Sequence, residues 1–273
     1  MTFSLAQVSH TVHELWPLAG ASDWDTPGLI SGSGSDTVSS IHLAVDAVAA
    51  TVQEAISIDA DLLLVHHPLL LRGVTSVAED GYKGALLAQL IRARCALLAA
   101  HTNADVVAGG VSDVLATRLG LVDAQPLTTG ATAGTGIGRV GRLAELTTLG
   151  ALARRLGDLL PATASGIRVS GGYTDPIQTV ALCGGAGDSL LGLPQVRAAD
   201  VYITSDLRHH PASEAREQAL TGDTGPALID VSHWASEWLW LDEAAAQLRS
   251  ALPGVRVSVS DLRTDPWDFV IMQ

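Results

Sequence analysis

Three stretches of the chain carry side chains that bind metals or move protons, each directly after an apolar run. His66-His67-Pro68 follows Asp61–Val65, His101-Thr102-Asn103-Ala104-Asp105 closes the run that starts at Ala96, and His233 with Glu237 follows Ala227–Val231. Imidazole nitrogens and carboxylate oxygens suit Zn, Mn, Fe, Co or Ni, and donor type alone does not choose among them. His233 and Glu237 are four apart, the spacing that puts two side chains on one helical face. The order differs from H-E-x-x-H, where two imidazoles take those places, so a metalloprotease of that type is not supported. Three or more imidazoles with two carboxylates exceed the three or four ligands of a single catalytic zinc. Two ions about 3.5–4 Å apart would use them all, which favours a dinuclear centre. Each stretch also has a plainer reading: locally satisfied histidines, Asp105 as a helix cap, and His233–Glu237 as an exposed hydrogen bond.

For these residues to meet, strands must deliver them to one end of a sheet. Ile41–Asp46, Asp61–Val65 and Ala96–His101 read as strands, separated by helices over about 47–59 and 82–94, with a further helix near 111–119. Strand-helix-strand alternation at this spacing implies an α/β fold with largely parallel strands. Ligands bind where the carboxyl ends of such strands open. A strand running into X-Pro stays extended and then turns, so both imidazoles of His66-His67 can reach one cavity.

The Gly- and Thr-rich segment Leu121–Gly138 is the candidate boundary, and the alternation restarts beyond it. Strands are predicted near 137–143, 167–170, 178–183, 200–204, 227–231 and 255–259, with helices near 149–160, 188–191, 211–220 and 233–252. The predicted organisation is a metal-binding α/β domain from residues 1–124 and 225–273, interrupted by a second α/β domain at 125–224. Ala60–Pro68 and Ala199–Pro211 both read Ala-Asp, an apolar strand, then His-His-Pro. Duplication of an α/β half and chance matching of a short strand both account for this.

Two further motifs carry weaker signals. Asp206-Leu207-Arg208-His209-His210 can face a substrate or cap the next helix. Gly184-Gly185-Ala186-Gly187 can present amides to an anion or make a tight turn. The tryptophans Trp234, Trp238 and Trp240 read as core or pocket wall rather than a base-stacking platform, which needs a basic groove as well.

Composition limits the partners. The 273 residues are 47% hydrophobic and 16% charged, with a formal net charge of -13. That excludes a disordered chain and disfavours nucleic acid held through its phosphates. No apolar run reaches the roughly 18–20 residues that span a bilayer, and the first residues lack the pattern of a secretory signal. The expected setting is cytoplasmic. Cys95 and Cys183 read as buried free thiols.

The ordered set of motifs resembles the NIF3 family, also called DUF34, whose bacterial members are often labelled GTP cyclohydrolase 1 type 2 homologues. It consists of Trp24-Asp25-Thr26-Pro27-Gly28-Leu29, L-L-V-H-H-P-L over Leu63–Leu69, H-T-N-A-D over His101–Asp105, T-S-D-L-R-H-H over Thr204–His210, and D-V-S-H-W-A-S-E over Asp230–Glu237. The resemblance implies two intertwined α/β repeats with mixed and parallel sheets, a toroidal homohexamer built from dimers, and a dinuclear metal site. It implies His66, His67, Asp105, His233 and Glu237 as metal ligands, with His101 a nearby non-ligand imidazole. Pro27 and Ser205 depart from the family pattern without removing a ligand.

The expected activity is hydrolysis of a small, phosphate-bearing or nucleotide-like substrate by metal-activated water, with His101 as catalytic general acid/base. The alternative is a non-enzymatic metal-binding ring, acting as metal chaperone or regulatory adaptor. Two divalent ions would give a broadly acidic chain one positive focus for a small anion.

Overall fold

Ser4 starts the first helix through a reciprocal cap: its hydroxyl accepts the Gln7 N–H at 3.2 Å, and Gln7 Oε1 accepts the Ser4 N–H at 2.8 Å. The computed structural model describes residues 2–222 and 225–272. In chain order its elements are β1 (Phe3–Ser4), α1 (Leu5–Leu15), β2 (Gly28–Ser31), β3 (Thr37–Val38), β4 (Ser40–Asp46), α2 (Ala49–Ser57), β5 (Leu62–His67), α3 (Tyr82–Ala93), β6 (Ala96–Ala99), α4 (Thr102–Asp105), α5 (Val111–Arg118) and β7 (Leu121–Gln125). Then follow β8 (Arg139–Thr148), α6 (Leu149–Leu159), β9 (Arg168–Ser170), β10 (Pro176–Ala186), α7 (Pro194–Arg197), β11 (Val201–Ser205), α8 (His209–Gly222), β12 (Ala227–Val231), α9 (His233–Trp238), α10 (Trp240–Ala251) and β13 (Arg256–Val259).

The chain forms two compact units, Met1–Ala104 with Leu241–Thr264, and Asp105–Trp240 with Asp265–Gln273. The first holds a five-stranded sheet in the order β13-β4-β5-β6-β2. Its first four strands are parallel, and β2 closes the edge antiparallel to β6. Leu62, Leu63, Leu64 and Val65 of β5 are all fully buried, which is why the run is continuously apolar rather than alternating. Leu63 and Val65 pack with Val52 and Ala55 of α2 and Leu86, Leu87 and Leu90 of α3. Trp16, buried beyond the end of α1, donates its indole N–H to Gln247 of α10 at 3.1 Å.

The second unit holds a six-stranded sheet in the order β7-β8-β10-β11-β12-β9. Its centre, β10-β11-β12, is parallel, while β8, β7 and β9 run antiparallel to their neighbours. Tyr202, Ala181, Cys183, Val196 and Leu228 form its buried cluster.

The Ala-Asp matches have the same local structure in the two units. Asp61 precedes β5, and its carboxylate accepts the backbone N–H groups of Ser39 and Ser40 at 2.8 and 3.0 Å, just before and at the start of β4. Asp200 precedes β11 and accepts those of Gln178 and Thr179 in β10 at 2.8 and 2.7 Å. In both units the next strand's first amide then donates to the aspartate's carbonyl, from Ala96 to Asp61 and from Ala227 to Asp200.

Three boundaries differ from the sequence expectation. The chain crosses between units at 104/105, 240/241 and 264/265 rather than at 124/125 and 224/225 alone, because β7 pairs with β8 and β12 with β11 inside the six-stranded sheet. The segment 121–138, read as the candidate boundary, therefore begins with a strand, β7. The helix predicted over 233–252 is two helices separated at Leu239, and the chain passes from the second unit to the first just beyond, at 240/241. The strand predicted at 137–143 starts at Arg139 and reaches Thr148, since Thr147 and Thr148 pair with Ile177 and Pro176 of β10.

Candidate metal centre

In the first unit, β5 delivers His66 and His67 while the turn after β6 delivers His101. The three ring centroids are 5.1 Å (His66–His67), 5.1 Å (His66–His101) and 5.5 Å (His67–His101) apart. One ligand atom from each lies within 4.8 Å of the others, close enough to share an ion. Each ring is oriented through Nδ1. His66 Nδ1–H donates to the Ala100 carbonyl at 2.9 Å, His67 Nδ1–H to Asp46 Oδ1 at 2.7 Å, and His101 Nδ1–H to Asp25 Oδ1 at 2.9 Å. A metal-ligating histidine characteristically makes this bond, because it fixes the tautomer and ring plane and raises the basicity of the other nitrogen.

The acceptors are themselves held. Asp25 Oδ2 accepts the Thr102 N–H at 3.1 Å and the Thr102 hydroxyl at 2.5 Å. Asp46 Oδ2 accepts the Thr264 hydroxyl. Asn103 fastens the turn by accepting the His101 N–H at 2.9 Å and donating to the Trp16 carbonyl at 2.8 Å. Burial, followed by the neighbouring His66, pushes the His101 imidazole down to about 4 despite Asp25. Burial works against the Asp25 charge, but hydrogen bonds from His101 and Thr102 outweigh it and lower its carboxyl below the ordinary value. At neutral pH the pair is thus a neutral imidazole on a carboxylate. Trp24 sits edge-on to His101 at 5.8 Å and is otherwise 63% exposed.

In the second unit, Ser232 caps α9 by accepting the Ala235 N–H, which sets His233 and Glu237 one turn apart. His233 Nε2 lies 2.9 Å from Glu237 Oε1, and its Nδ1–H donates to Asp206 Oδ2 at 2.7 Å. Asp206 follows β11 with a left-handed φ of 58°, a conformation that short polar side chains tolerate. Burial opposes a charge on His233, but Glu237 and Asp206 overcome it and raise the imidazole to about 11. An imidazole set between two carboxylates offers nitrogen and oxygen donors to a cation. Asp105 and Glu237 act on one neighbour: burial first, then these two charges, push the Cys183 thiol up to about 12.

The structure thus gathers His66, His67 and His101 in one unit and pairs His233 with Glu237 in the other, the unit that also contains Asp105. His101, expected as a non-ligand imidazole, lies as close to His66 as His67 does. The carboxylates Asp46 and Asp25 were not singled out as ring-orienting partners in the sequence, and Asp206 was read only as a substrate-facing or capping residue. A signal for Asp46 existed, since it ends the neighbouring strand IHLAVD and stands opposite His67 in the β4–β5 register.

Two amides of the glycine-rich segment already have partners within the protein. The Gly184 and Gly185 amides donate to Ser112 Oγ at 3.1 Å and Ser236 Oγ at 2.9 Å. Arg208 is exposed and pairs with Asp188 at 2.6 Å. Trp234 and Trp240 are buried, in keeping with a core role. Cys95 and Cys183 are buried free thiols. Among the described residues, no helix is long and apolar enough to cross a membrane.

Residues 3–266 match the family model described as Duf34/NIF3 (NGG1p interacting factor 3). A Streptomyces coelicolor relative named GTP cyclohydrolase 1 type 2 homolog is 44% identical, covering 96% of this chain and 93% of its own length. A Mycobacterium leprae relative of the same name is 34% identical, with 98% of this chain and 96% of its own length covered. A Bacillus cereus protein related to NIF3 superposes with a TM-score of 0.88 over 98% of this chain and 99% of that chain, at 22% identity. That last likeness is one of fold.

Proposed function

Since the chain belongs to the Duf34/NIF3 family, we propose that it is a dinuclear metal-dependent hydrolase acting on a small phosphate-bearing or nucleotide-like substrate. His66, His67, Asp105, His233 and Glu237 are its ligands. The observation that carries this reading is the orientation of four imidazoles. His66, His67, His101 and His233 each donate Nδ1–H to a carbonyl or carboxylate, the arrangement that prepares Nε2 of the three ligands for a metal and Nε2 of His101 for a proton.

When bound, divalent ions supply Lewis acidity that activates water and polarises a substrate oxygen. The chain's own residues do the rest. His101 stays neutral, so Nε2 can take a proton from the attacking water, while Asp25 holds its Nδ1–H and stabilises the imidazolium that results. Asp46 and Asp206 keep His67 and His233 in one tautomer. Trp24 stands edge-on beside His101.

The name GTP cyclohydrolase 1 type 2 homolog, carried by the relatives, is a specific form of this proposal. Assembly into a homohexamer is the proposed quaternary state. It is supported by an exposed apolar C-terminal segment, where Trp267, Phe269, Val270, Ile271 and Met272 are each more than half exposed. The proposed setting is the cytoplasm.

The test is to incubate Zn²⁺-, Mn²⁺- or Co²⁺-loaded protein with a phosphoester panel and GTP, beside protein stripped with a chelator. Metal-dependent turnover of one substrate is expected. No turnover, together with ions that leave to a chelator within minutes, would replace the hydrolase by the metal-trafficking reading.

A further inference from the structure

We infer that Gly185 is a positioning residue for the metal centre, because the absence of a side chain there lets the Glu237 carboxylate lie against His233. The inference rests on the reading of His233 and Glu237 as ligands. Gly185 has a left-handed φ of 69°, and a Cβ built on it would stand 2.5 Å from Glu237 Oε1 and 3.4 Å from His233 Nε2. Real Cβ atoms essentially never approach another atom closer than 3.0 Å.

The backbone at Gly185 is held in place and cannot retreat from such a clash. Its N–H donates to Ser236 Oγ at 2.9 Å, and its carbonyl accepts the Thr204 hydroxyl at 3.1 Å. The flanking residues are clamped too, Gly184 N–H on Ser112 Oγ at 3.1 Å and the Gly187 carbonyl under the Tyr202 hydroxyl at 2.9 Å. Ser236 ties this clamp to the ligand helix itself, since its hydroxyl donates to the His233 carbonyl at 2.8 Å. Four hydroxyls, one from α5, two from β11 and one from α9, therefore fix this end of β10. The group that must yield to any added side chain is the end of the Glu237 side chain. A carboxylate can swing without unfolding the domain, so the cost of a side chain at 185 falls on metal geometry rather than on the fold.

Gly166 provides the control. It has a similar φ of 59°, and a Cβ there meets nothing within 4 Å. Gly166→Ala therefore carries the backbone cost of a left-handed alanine without a neighbour to displace.

Wild type, Gly185→Ala, Gly166→Ala and Glu237→Ala would be compared by apo-protein thermal unfolding, by Co²⁺ affinity in chelator competition and by the visible Co²⁺ spectrum. Gly185→Ala and Gly166→Ala should lower the apo Tm alike. Only Gly185→Ala should weaken Co²⁺ binding, by roughly 10- to 100-fold as for other ligand-orienting changes, and alter the spectrum. Equal Co²⁺ affinity and spectra in the two glycine variants would overturn the inference. Loss of Co²⁺ in Glu237→Ala alone leaves the ligand reading standing while removing the role of Gly185. Full retention in Glu237→Ala removes the ligand reading. Should Gly185→Ala not fold, Ser236→Ala, which takes away the acceptor of the Gly185 N–H, must also weaken Co²⁺ binding. Unchanged affinity there would equally overturn the inference.

Discussion

His67 donates its Nδ1–H to Asp46 Oδ1 across 2.7 Å, and the other oxygen of the same carboxylate accepts the Thr264 hydroxyl. Asp46 is the last residue of β4 and stands opposite His67 in the parallel register with β5. The strand register that sets Asp46 opposite His67 thereby decides which nitrogen of His67 is offered to a metal.

Asp46→Asn should weaken metal binding by roughly 10- to 100-fold, the usual scale for a ligand's orienting partner. Asp206→Asn should do the same through His233, whose Nδ1–H it accepts at 2.7 Å. Both variants should keep near-normal thermal unfolding in the apo state. Chelator-competition titration checks this, and wild-type affinity in both would show that the carboxylates do not act through the rings.

Asp61 and Asp200 should be matching stability residues. Asp61 gathers two backbone N–H groups and the hydroxyls of Ser39 and Ser40. Replacing it by Ala should cost about 2 kcal/mol, since hydrogen bonds to charged groups contribute roughly 1.5–3 kcal/mol each before solvent screening is deducted. Asp200→Ala, with two amide bonds, should cost less. Urea midpoints of the two variants decide the order.

The pH dependence of that difference has a fixed sign. Burial tends to raise the Asp61 carboxyl, but the hydrogen bonds from Ser39 and Ser40 outweigh it, so its folded value is lowered. A lowered acid contributes stability above the unfolded value of about 3.9 and loses it as pH falls through the folded value. The gap between wild type and Asp61→Asn should be constant near neutrality and close under acid. A gap that widens on acidification would contradict the assignment.

Both thiols should be silent in the native state. Burial raises Cys95 to about 11 and Cys183 to about 12, so little thiolate exists at pH 8. Ellman's reagent should label neither cysteine until denaturant is added, and then both. Rapid native labelling of either would show that its surroundings open.

The metal-binding stretches were legible in the sequence because they are local. His66-His67 ends a continuous apolar run, and His233 with Glu237 needs only the period of a helix. What was not legible depends on pairing between distant segments. Asp46 faces His67 through strand register, Asp25 reaches His101 from 76 residues away, and Asp206 reaches His233 from another strand end. The α/β class followed from the alternation of runs. The unit boundaries did not, because the short strand β7 hides in a polar, glycine-rich segment and the break at Leu239 interrupts a helical pattern without Pro or Gly to mark it.

The C-terminal segment should matter for assembly rather than for folding. A chain ending after Thr264 would also lose the Asp265–Ser232 hydrogen bond of 2.5 Å. Truncation after Pro266 keeps Asp265 and removes the exposed apolar residues together with Asp268 and Gln273. Its mass by light scattering should fall below that of the full chain while its unfolding temperature holds. An unchanged mass would remove the segment from the proposed interface.

The five proposed ligands should together hold two ions. Equilibrium dialysis of the purified chain against Zn²⁺, read as ions per chain by mass spectrometry, decides this when His67→Ala and Glu237→Ala are measured alongside. Two ions per wild-type chain and at most one in each variant are expected; full occupancy in both variants would overturn the two-ion centre.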